Sequence, residues 1–303
     1  MGNAEIVYPK KSRDINNMLM DTKRWDGFEF RNDDIVIDTW AKSGTTWTQQ
    51  IVTQLIFNGA EKLRAMDLAP WIELKIIPFD EMIEGLNAQE HRRFLKSHAP
   101  ADTLDIQPQV KYLFLARDGR DVIWSWHRHL QHMTPEFFDA INALPNREGP
   151  PLEPPKGDVR DMFHQWLEED GLYDWSYWAH VQSWWDIRDL PNVQLFHFNN
   201  LKADMPGEIR KMAGFLGIEI DEERWPNIVE HCTFDYMKEN ADDLSDIFDK
   251  LFQGGLKNFI YKGTNGRWVD TLTAEENALY EKVVSENMTP DCAHWHATGE
   301  MQG

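Results

Sequence analysis

The sequence predicts a single α/β domain with a central, mostly parallel sheet flanked by helices. Short apolar, β-branched runs alternate along the chain with longer segments of helical periodicity, as in sheets whose parallel strands are joined by helices. No linker rich in Gly and Ser, internal repeat or low-complexity run divides the 303 residues. The residues that we assign to one site span positions 42 to 266. We therefore expect one domain over residues 1–303.

The predicted elements follow one another in the order that such a fold requires. Strands are predicted at 35–40, 93–97, 110–116 and 193–198. Helices are predicted at 46–58, 120–132, 175–188, 205–216 and 273–288. The sequence Thr273-Ala274-Glu275-Glu276 has the capping-box pattern that opens a helix. Residues 1–24 are expected to form an N-terminal extension.

The loop Lys42-Ser43-Gly44-Thr45-Thr46-Trp47 lies between the first strand and the first helix. The first N–H groups of a helix have no intrahelical partner and the macrodipole is positive there, so this layout favours an anion. Gly44 allows close backbone approach, Lys42 adds charge, and the Ser and Thr hydroxyls add donors. The alternative is an ordinary capped helix start. The pattern differs from the nucleoside-triphosphate loop, which ends in Gly-Lys-Ser/Thr.

Two further strand ends carry residues suited to a reaction on an anion. His98 follows the second strand, and an imidazole there is suited to accept a proton near neutral pH. Lys96, two residues earlier on an extended chain, is expected to point the same way. Arg117 ends the third strand, and its guanidinium can hold a phosphate with two donors. The alternatives are a strand-end histidine without chemistry and a surface ion pair of Arg117 with Asp118 or Asp121.

In this order the motifs resemble those of the cytosolic sulfotransferases, over roughly residues 25 to 280. The resemblance rests on the loop at 42–47, on Lys96-Ser97-His98, on Arg117 and Ser125 eight residues apart, and on Tyr261-Lys262-Gly263 with Gly266 and Trp268. It implies an enzyme that uses 3′-phosphoadenosine 5′-phosphosulfate (PAPS) as co-substrate and leaves adenosine 3′,5′-bisphosphate (PAP) as product.

The resemblance also assigns roles to residues. It implies His98 as general base, with catalytic contributions from Lys42, Lys96 and Ser125. The cofactor-binding residues that it implies are Lys42, Ser43, Gly44, Thr45, Thr46, Trp47, Arg117, Ser125, Phe198, Thr233, Phe234, Tyr261, Lys262 and Gly263. Tyr261 stands where the family usually has Arg, so one phosphate contact is expected to be missing. Phe198 replaces a Tyr that contacts adenine in the family.

Two segments correspond to the family's variable loops over the acceptor and are expected to shape its pocket. Residues 133–160 contain six prolines and are predicted to lack regular structure. Residues 239–256 are acidic, then apolar, and end in Gly254-Gly255. A solvent loop without a role in the pocket remains the alternative for the first segment.

The net charge of the chain limits the kinds of molecule that it is expected to bind. The formal charge of −20, from 31 basic and 51 acidic side chains, repels nucleic acid and acidic polysaccharides. We expect a small-molecule acceptor, neutral or cationic, with a hydroxyl or amine group. The identity of that acceptor is not determined by the sequence. The family's dimer motif is not reproduced, since Val269 and Ala274 replace its Lys and Val, so a homodimer is left open.

The remaining composition favours a cytoplasmic protein without a metal. Two cysteines give no disulfide framework, and we find neither a signal peptide nor an apolar run that could cross a membrane. The histidines at 127, 129 and 132 and the Cys292, His294 and His296 group lack a fourth ligand at clear spacing. The alternative functions are an ATP-dependent P-loop kinase and a non-catalytic protein that binds adenosine bisphosphate.

Overall fold

A computed structural model describes residues 6–145, 148–171, 175–243 and 251–302. In these ranges four parallel strands form one sheet in the order β2-β1-β3-β4. The strands are β1 (Ile35–Asp38), β2 (Phe94–Ser97), β3 (Lys111–Ala116) and β4 (Val193–His197). The predicted α/β fold with a parallel sheet is confirmed, and each strand is only one or two residues shorter than predicted.

Helices cover both faces of the sheet, and the five predicted helices are all present. The helices of the described ranges are α1 (Thr45–Ile56), α2 (Ala65–Leu68), α3 (Phe79–Asn87), α4 (Gly119–Gln131), α5 (Pro135–Asn142), α6 (Val159–Glu168), α7 (Tyr177–Asp186), α8 (Phe198–Ala203), α9 (Met205–Leu216), α10 (Trp225–His231), α11 (Phe234–Glu239), α12 (Gly255–Phe259), α13 (Ala274–Asn287) and α14 (Pro290–Thr298). The capping box predicted before α13 is formed: Thr273 Oγ accepts from the Glu276 amide, and Glu276 accepts from the Thr273 amide.

The prediction that residues 133–160 lack regular structure is wrong. Helix α5 begins at Pro135, and α6 begins at Val159 behind the N-cap Asp158. A proline is tolerated in the first turn of a helix because its missing N–H would have no partner there. The other predicted loop, 239–256, lies partly outside the described residues, and its described end contains the start of α12 at Gly255.

Alternate residues of each strand pack on opposite faces of the sheet. In β3, Tyr112 and Phe114 join an aromatic-rich cluster on one face, while Leu113 and Leu115 join an aliphatic cluster on the other. Burial on both faces is typical of parallel sheets covered by helices. Because the four strands are parallel, their carboxyl ends lie along one edge of the sheet, where open α/β sheets bind ligands.

The N-terminal segment packs into the same aromatic-rich core. Met18 and Met20 are fully buried, and the amide of Asp21 donates to the carbonyl of Glu73 at 2.9 Å. Across the described residues, no helix combines the length and the apolar character needed to span a membrane.

We predict that Asp34→Ala destabilises the protein by about 3–5 kcal/mol, because it leaves the buried Arg93 guanidinium without its carboxylate. Arg93 is 1% exposed and donates to both Asp34 oxygens, at 2.8 and 2.5 Å. Urea unfolding monitored by Trp fluorescence measures the loss. Asp102→Ala is the matched control. Its two bonds from Arg13 are 2.7 and 3.2 Å, but the pair is over a third exposed, so we expect less than about 1 kcal/mol. Equal losses would contradict the prediction.

Candidate active site

The loop after β1 makes a tight turn that only certain residues tolerate. Gly44 has φ +122°, and a Cβ on it would lie 2.7 Å from the Leu115 side chain. Lys42 adopts a left-handed conformation with φ 68°, which is uncommon for a residue with a Cβ. Helix α1 begins at Thr45, and no side chain caps its first turn. The alternative of an ordinary capped helix start is therefore wrong.

A cavity of about 700 Å³ opens at the carboxyl edge of the sheet and collects almost all of the predicted site residues. Ser43 is the exception: it is buried, 1% exposed, and does not line the cavity. The predicted residues that do line it are Lys42, Gly44, Thr45, Thr46, Trp47, Lys96, His98, Arg117, Ser125, Phe198, Thr233, Phe234, Tyr261, Lys262 and Gly263. Segments far apart in the chain thus meet in one place, as the sequence predicted.

Arg117 links two loops at the cavity, and within the described residues it forms no salt bridge with a carboxylate. Its Nε donates to Asn265 Oδ1 at 2.9 Å, and its terminal nitrogens donate to the carbonyls of Thr264 and Lys42 at 2.9 and 3.3 Å. The guanidinium also lies 4.3 Å from the centre of the Phe198 ring. The alternative of a surface ion pair is wrong, because Arg117 is buried and its hydrogen-bond partners are uncharged.

His98 is held as a neutral imidazole with one free nitrogen lone pair. Its Nδ1 lies 2.5 Å from the carbonyl oxygen of Thr39, to which it can only donate, so Nε2 carries the lone pair. Among the described residues, Nε2 has no hydrogen-bond partner. Burial, followed by the charge of Lys96, lowers the pKa of His98 well below its ordinary value. A neutral imidazole with an open lone pair is suited to accept a proton.

Lys42 and Lys96 are two partly buried cations that line the cavity. Lys42 Nζ lies 3.8 Å from the centre of the Phe259 ring, and Lys96 Nζ lies 4.9 Å from the centre of the Trp71 ring. In the described parts of the chain neither forms a salt bridge. Burial, then the charges of Lys96 and Arg117, lower the pKa of Lys42 well below its ordinary value. An anion in the cavity would oppose each of these effects, so the residues present fit an anionic ligand.

The structure adds two cations that the sequence reasoning missed. Arg128 and Arg267 both line the cavity, and the Arg128 guanidinium lies 3.7 Å from the centre of the Tyr261 ring. Positive charge near Tyr261 therefore comes from Arg128 on α4 and from Arg267, six residues further along the same loop. Arg128 lies three residues after Ser125 on α4, a spacing that places both on one helix face and could have identified it.

Gly263 allows the segment that carries Lys262 to approach the opposite wall. Its φ is +59°, and a Cβ on it would lie 2.9 Å from the Phe234 ring. Phe234 follows Thr233, whose hydroxyl accepts from the Tyr236 amide and so caps α11. These contacts bring Thr233, Phe234 and Lys262 together.

The rest of the cavity is mainly apolar. Aromatic and aliphatic side chains from distant segments form its walls: Leu19, Trp71, Leu74, Ile77, Trp126, Met133, Phe137, Leu251, Phe252 and Phe259. Both segments expected to shape an acceptor pocket contribute to these walls, through Met133 and Phe137 from one and through Leu251 and Phe252 from the other. The cavity is thus cationic at the strand ends and apolar elsewhere.

Comparisons with known proteins agree with this geometry. The family model described as "Sulfotransferase domain" matches residues 32–290. A glycolipid sulfotransferase of Mycobacterium bovis is 29% identical over an alignment that covers 96% of each chain. Human sulfotransferase 1C2 is 28% identical, over 86% of this chain and 85% of the relative.

Solved structures show the same fold. The crystal structure of mouse sulfotransferase SULT7A1 complexed with PAP has a TM-score of 0.68 at 21% identity and covers 90% of each chain. Retinol dehydratase, crystallised with androsterone and PAP, has a TM-score of 0.66 at 23% identity, over 88% of this chain and 84% of that one.

We predict that Lys96→Met stabilises the ligand-free protein at neutral pH and that this gain disappears as the pH rises. Burial lowers the pKa of Lys96 from 10.5 to about 8. Between these values the unfolded chain binds more protons than the folded one, so the destabilisation by the buried ammonium is complete below pH 8 and is lost towards pH 10.5.

The measurement is the difference in urea midpoint between variant and parent across this pH range. Lys10→Met, at a side chain that is 71% exposed, controls for the loss of a surface charge. A gain at Lys96 that is constant with pH would contradict the prediction.

Proposed function

This chain belongs to the sulfotransferase family, and we propose that it transfers the sulfuryl group of PAPS to a hydroxyl group of an apolar, uncharged small molecule, leaving PAP as product. One observation carries the proposal: cations that form no salt bridge among the described residues lie in the same cavity as a neutral imidazole with a free lone pair. The cations suit an anionic donor, and the imidazole suits an acceptor that must lose a proton.

Different residues of the cavity are proposed to bind the different groups of PAPS. The uncapped amides at the start of α1 and the ammonium of Lys42 are placed to bind the 5′-phosphosulfate. Arg117, Ser125, Lys262 and the amide of Gly263 are proposed to bind the 3′-phosphate, in line with the family resemblance. Arg128 and Arg267 add positive charge on that side of the cavity.

Aromatic rings are proposed to hold the adenine. Trp47 and Phe198 lie edge to face with centroids 5.4 Å apart, and Phe234 and Thr233 line the cavity nearby. The Trp47 Nε1 donates to the Cys232 carbonyl at 2.8 Å, which fixes the orientation of its ring. A planar base needs such fixed aromatic surfaces more than hydrogen bonds.

The proposed reaction is an in-line substitution at sulfur. The acceptor oxygen attacks the sulfur, the bond from sulfur to the 5′-phosphate oxygen breaks, and the hydroxyl proton passes to His98 Nε2. Lys42 and Lys96 stabilise the negative charge that develops on the sulfuryl group and on the leaving phosphate. Thr39 holds His98 in the tautomer that the proton transfer requires.

The walls favour an acceptor that is apolar and uncharged. A cationic amine would have to approach Lys42 and Lys96, which form no salt bridge in the described part of the chain. Neutral acceptors are therefore favoured over the cationic ones that the sequence left open. The relatives include a glycolipid sulfotransferase, and retinol dehydratase was crystallised with androsterone. Both names support an alcohol on a largely apolar skeleton.

We predict that PAP raises the melting temperature, whereas ATP with magnesium does not. At about 100 times its dissociation constant a ligand stabilises by about 2.7 kcal/mol, which corresponds to several degrees in a chain of this size. Differential scanning fluorimetry measures the shift. A shift with ATP and magnesium alone would contradict the proposed function.

The assignment of the 3′-phosphate to Arg117 is tested by measuring how Arg117→Ala changes the affinity for two ligands, one with and one without that phosphate. A charge-assisted bond to phosphate contributes about 1.5–3 kcal/mol, so PAP should bind about tenfold to a few hundredfold more weakly. Adenosine 5′-phosphate, which lacks the 3′-phosphate, should bind equally to parent and variant. Equal losses for both ligands would show that Arg117 only supports the fold.

We predict that His98→Ala lowers turnover by about 10²–10⁴-fold, because the attacking hydroxyl then has no positioned base. A panel of phenols and alcohols with PAPS, read by the mass gain of one sulfuryl group, provides the assay. The affinity for PAP should stay within about threefold of the parent, since His98 is neutral. His294→Ala, at a histidine outside the cavity, should keep its turnover. A His98→Ala turnover close to that of the parent would remove His98 from the role of base.

A further inference from the structure

A second imidazole lies in the cavity, and aromatic packing fixes its plane. His129 follows Ser125 by one turn of α4 and lines the cavity with it. Its ring stacks on Trp126 and on Phe252, each with centroids 5.4 Å apart, and meets the edge of Phe259 at 5.5 Å. Because its ring is stacked on these two side chains, the imidazole can present its nitrogens only in the plane of its own ring.

The ammonium of Lys42 determines which nitrogen of His129 carries the proton. Lys42 Nζ lies 3.5 Å from Nδ1, at the long end of the hydrogen-bond range. With an anion bound in the cavity Lys42 is charged, and because an ammonium has only donors, Nδ1 must then turn a lone pair towards it. Burial and the charges of Lys42 and Lys96 lower the pKa of His129 well below its ordinary value. The ring is then neutral, and its single proton is on Nε2.

Nε2 is therefore a hydrogen-bond donor without a partner. Within the described part of the chain, no side chain or carbonyl accepts from it. The imidazoles of His98 and His129 consequently have opposite polarity at Nε2: His98 offers a lone pair, and His129 offers a hydrogen. A donor in an otherwise apolar wall needs an oxygen from whatever occupies the cavity.

We infer that His129 is a specificity-determining residue that selects acceptors with a second oxygen, a carbonyl, ether or hydroxyl, away from the hydroxyl group that is sulfated. This inference rests on the proposed function, because it assigns the acceptor to the apolar part of the cavity. A site that supplies a donor to its ligand disfavours the analogue that lacks the oxygen, since the donor is then left unpaired.

The same contact couples acceptor selection to the donor molecule. An anion bound at Lys42 favours its charged form, and the charged form requires the lone pair of His129 Nδ1. PAPS or PAP in the cavity should therefore fix the Nε2–H tautomer. By reciprocity, an oxygen-bearing acceptor that needs this tautomer should tighten the binding of PAP.

The tautomer can be measured directly by NMR on protein with 15N-labelled histidine and saturating PAP. We expect the His129 Nδ1 to have the chemical shift of an unprotonated nitrogen and Nε2 that of a protonated one. His129→Phe removes the two signals and so assigns them. Bound PAP with a protonated Nδ1, or with an imidazolium, overturns the inference alone. Failure of PAP to bind overturns the proposed function and this inference with it.

Matched acceptors test the selection itself. In two pairs of phenols a methylene is replaced by a carbonyl: 4-ethylphenol with 4-hydroxyacetophenone, and 4-benzylphenol with 4-hydroxybenzophenone. In His129→Phe we expect the ratio of kcat/KM for carbonyl over methylene to fall about two- to tenfold in at least one pair, mainly through KM. The ratio cancels the intrinsic reactivity of each phenol, because parent and variant receive the same compounds.

The matched control is His127→Phe, the same change two residues earlier on α4 at a residue that does not line the cavity. Its ratios should equal those of the parent, and its melting temperature verifies that it is folded. Equal ratios in the parent, in His129→Phe and in His127→Phe would overturn the inference, and so would a fall of the same size in both variants.

Discussion

The arrangement depends on one constraint: Lys42, Lys96 and Arg117 lie close together in one cavity, and no carboxylate of the described residues forms a salt bridge with them. Like charges in a poorly solvated cavity repel, and burial alone already disfavours each charged form. Only a rigid surrounding structure can hold them there. The partners of Arg117 are uncharged amide and carbonyl oxygens, which orient the guanidinium and leave its charge available.

The cations at the two edges of the sheet differ in whether a carboxylate pairs with them. At the amino edge, Arg93 immediately precedes β2 and Asp34 immediately precedes β1. The guanidinium of Arg93 donates from Nε and from one terminal nitrogen to the two carboxylate oxygens of Asp34. That pair is complete and cannot bind a ligand. At the carboxyl edge Lys42, Lys96 and Arg117 form no salt bridge among the described residues, so an anion from solution can neutralise them. The overall charge of −20 coexists with this positive cavity because the carboxylates nearby have other partners: Asp118 is paired with Arg120, and Asp121 accepts from the Gly266 amide.

A buried polar network supports the end of β2, which His98 follows. Asp38 accepts from the Ala99 amide at 3.0 Å and from His180 Nε2 at 2.6 Å, and thereby fixes the residue that follows His98. Burial raises the pKa of Asp38, and it raises the pKa of Glu73 beside Ser97 to about 7. Trp184 closes the network by donating to the Ala99 carbonyl at 3.1 Å. Reactive groups need such support, since a base must be positioned before the substrate arrives.

The sequence by itself determined the alternation of strands and helices, and with it the places where ligand-binding residues follow strands. Local preferences carry this information: an apolar β-branched run forms β1, an apolar run of Leu and aromatic residues forms β3, and the glycine of the 42–47 loop is required by a turn within that loop. The same local reasoning erred at Pro135, where a proline was treated as a helix breaker although it occupies the first turn of α5. Its assignment of Ser43 to the cofactor-binding residues stays a prediction, because the Ser43 side chain is buried and does not line the cavity.

Only the tertiary structure decided what fills the cavity around those motifs. Arg128 meets Tyr261, and His129 meets Lys42 and Phe252, through contacts between segments that no local pattern relates. The protonated nitrogen of His129 depends on an ammonium from another loop, and the apolar walls come from five or more separate stretches. Backbone preference acts over a few neighbouring residues, whereas polarity, burial and charge at a site depend on every segment that packs there. For that reason the motifs and the reaction class could be predicted from the sequence, and the chemistry of the acceptor cavity could not.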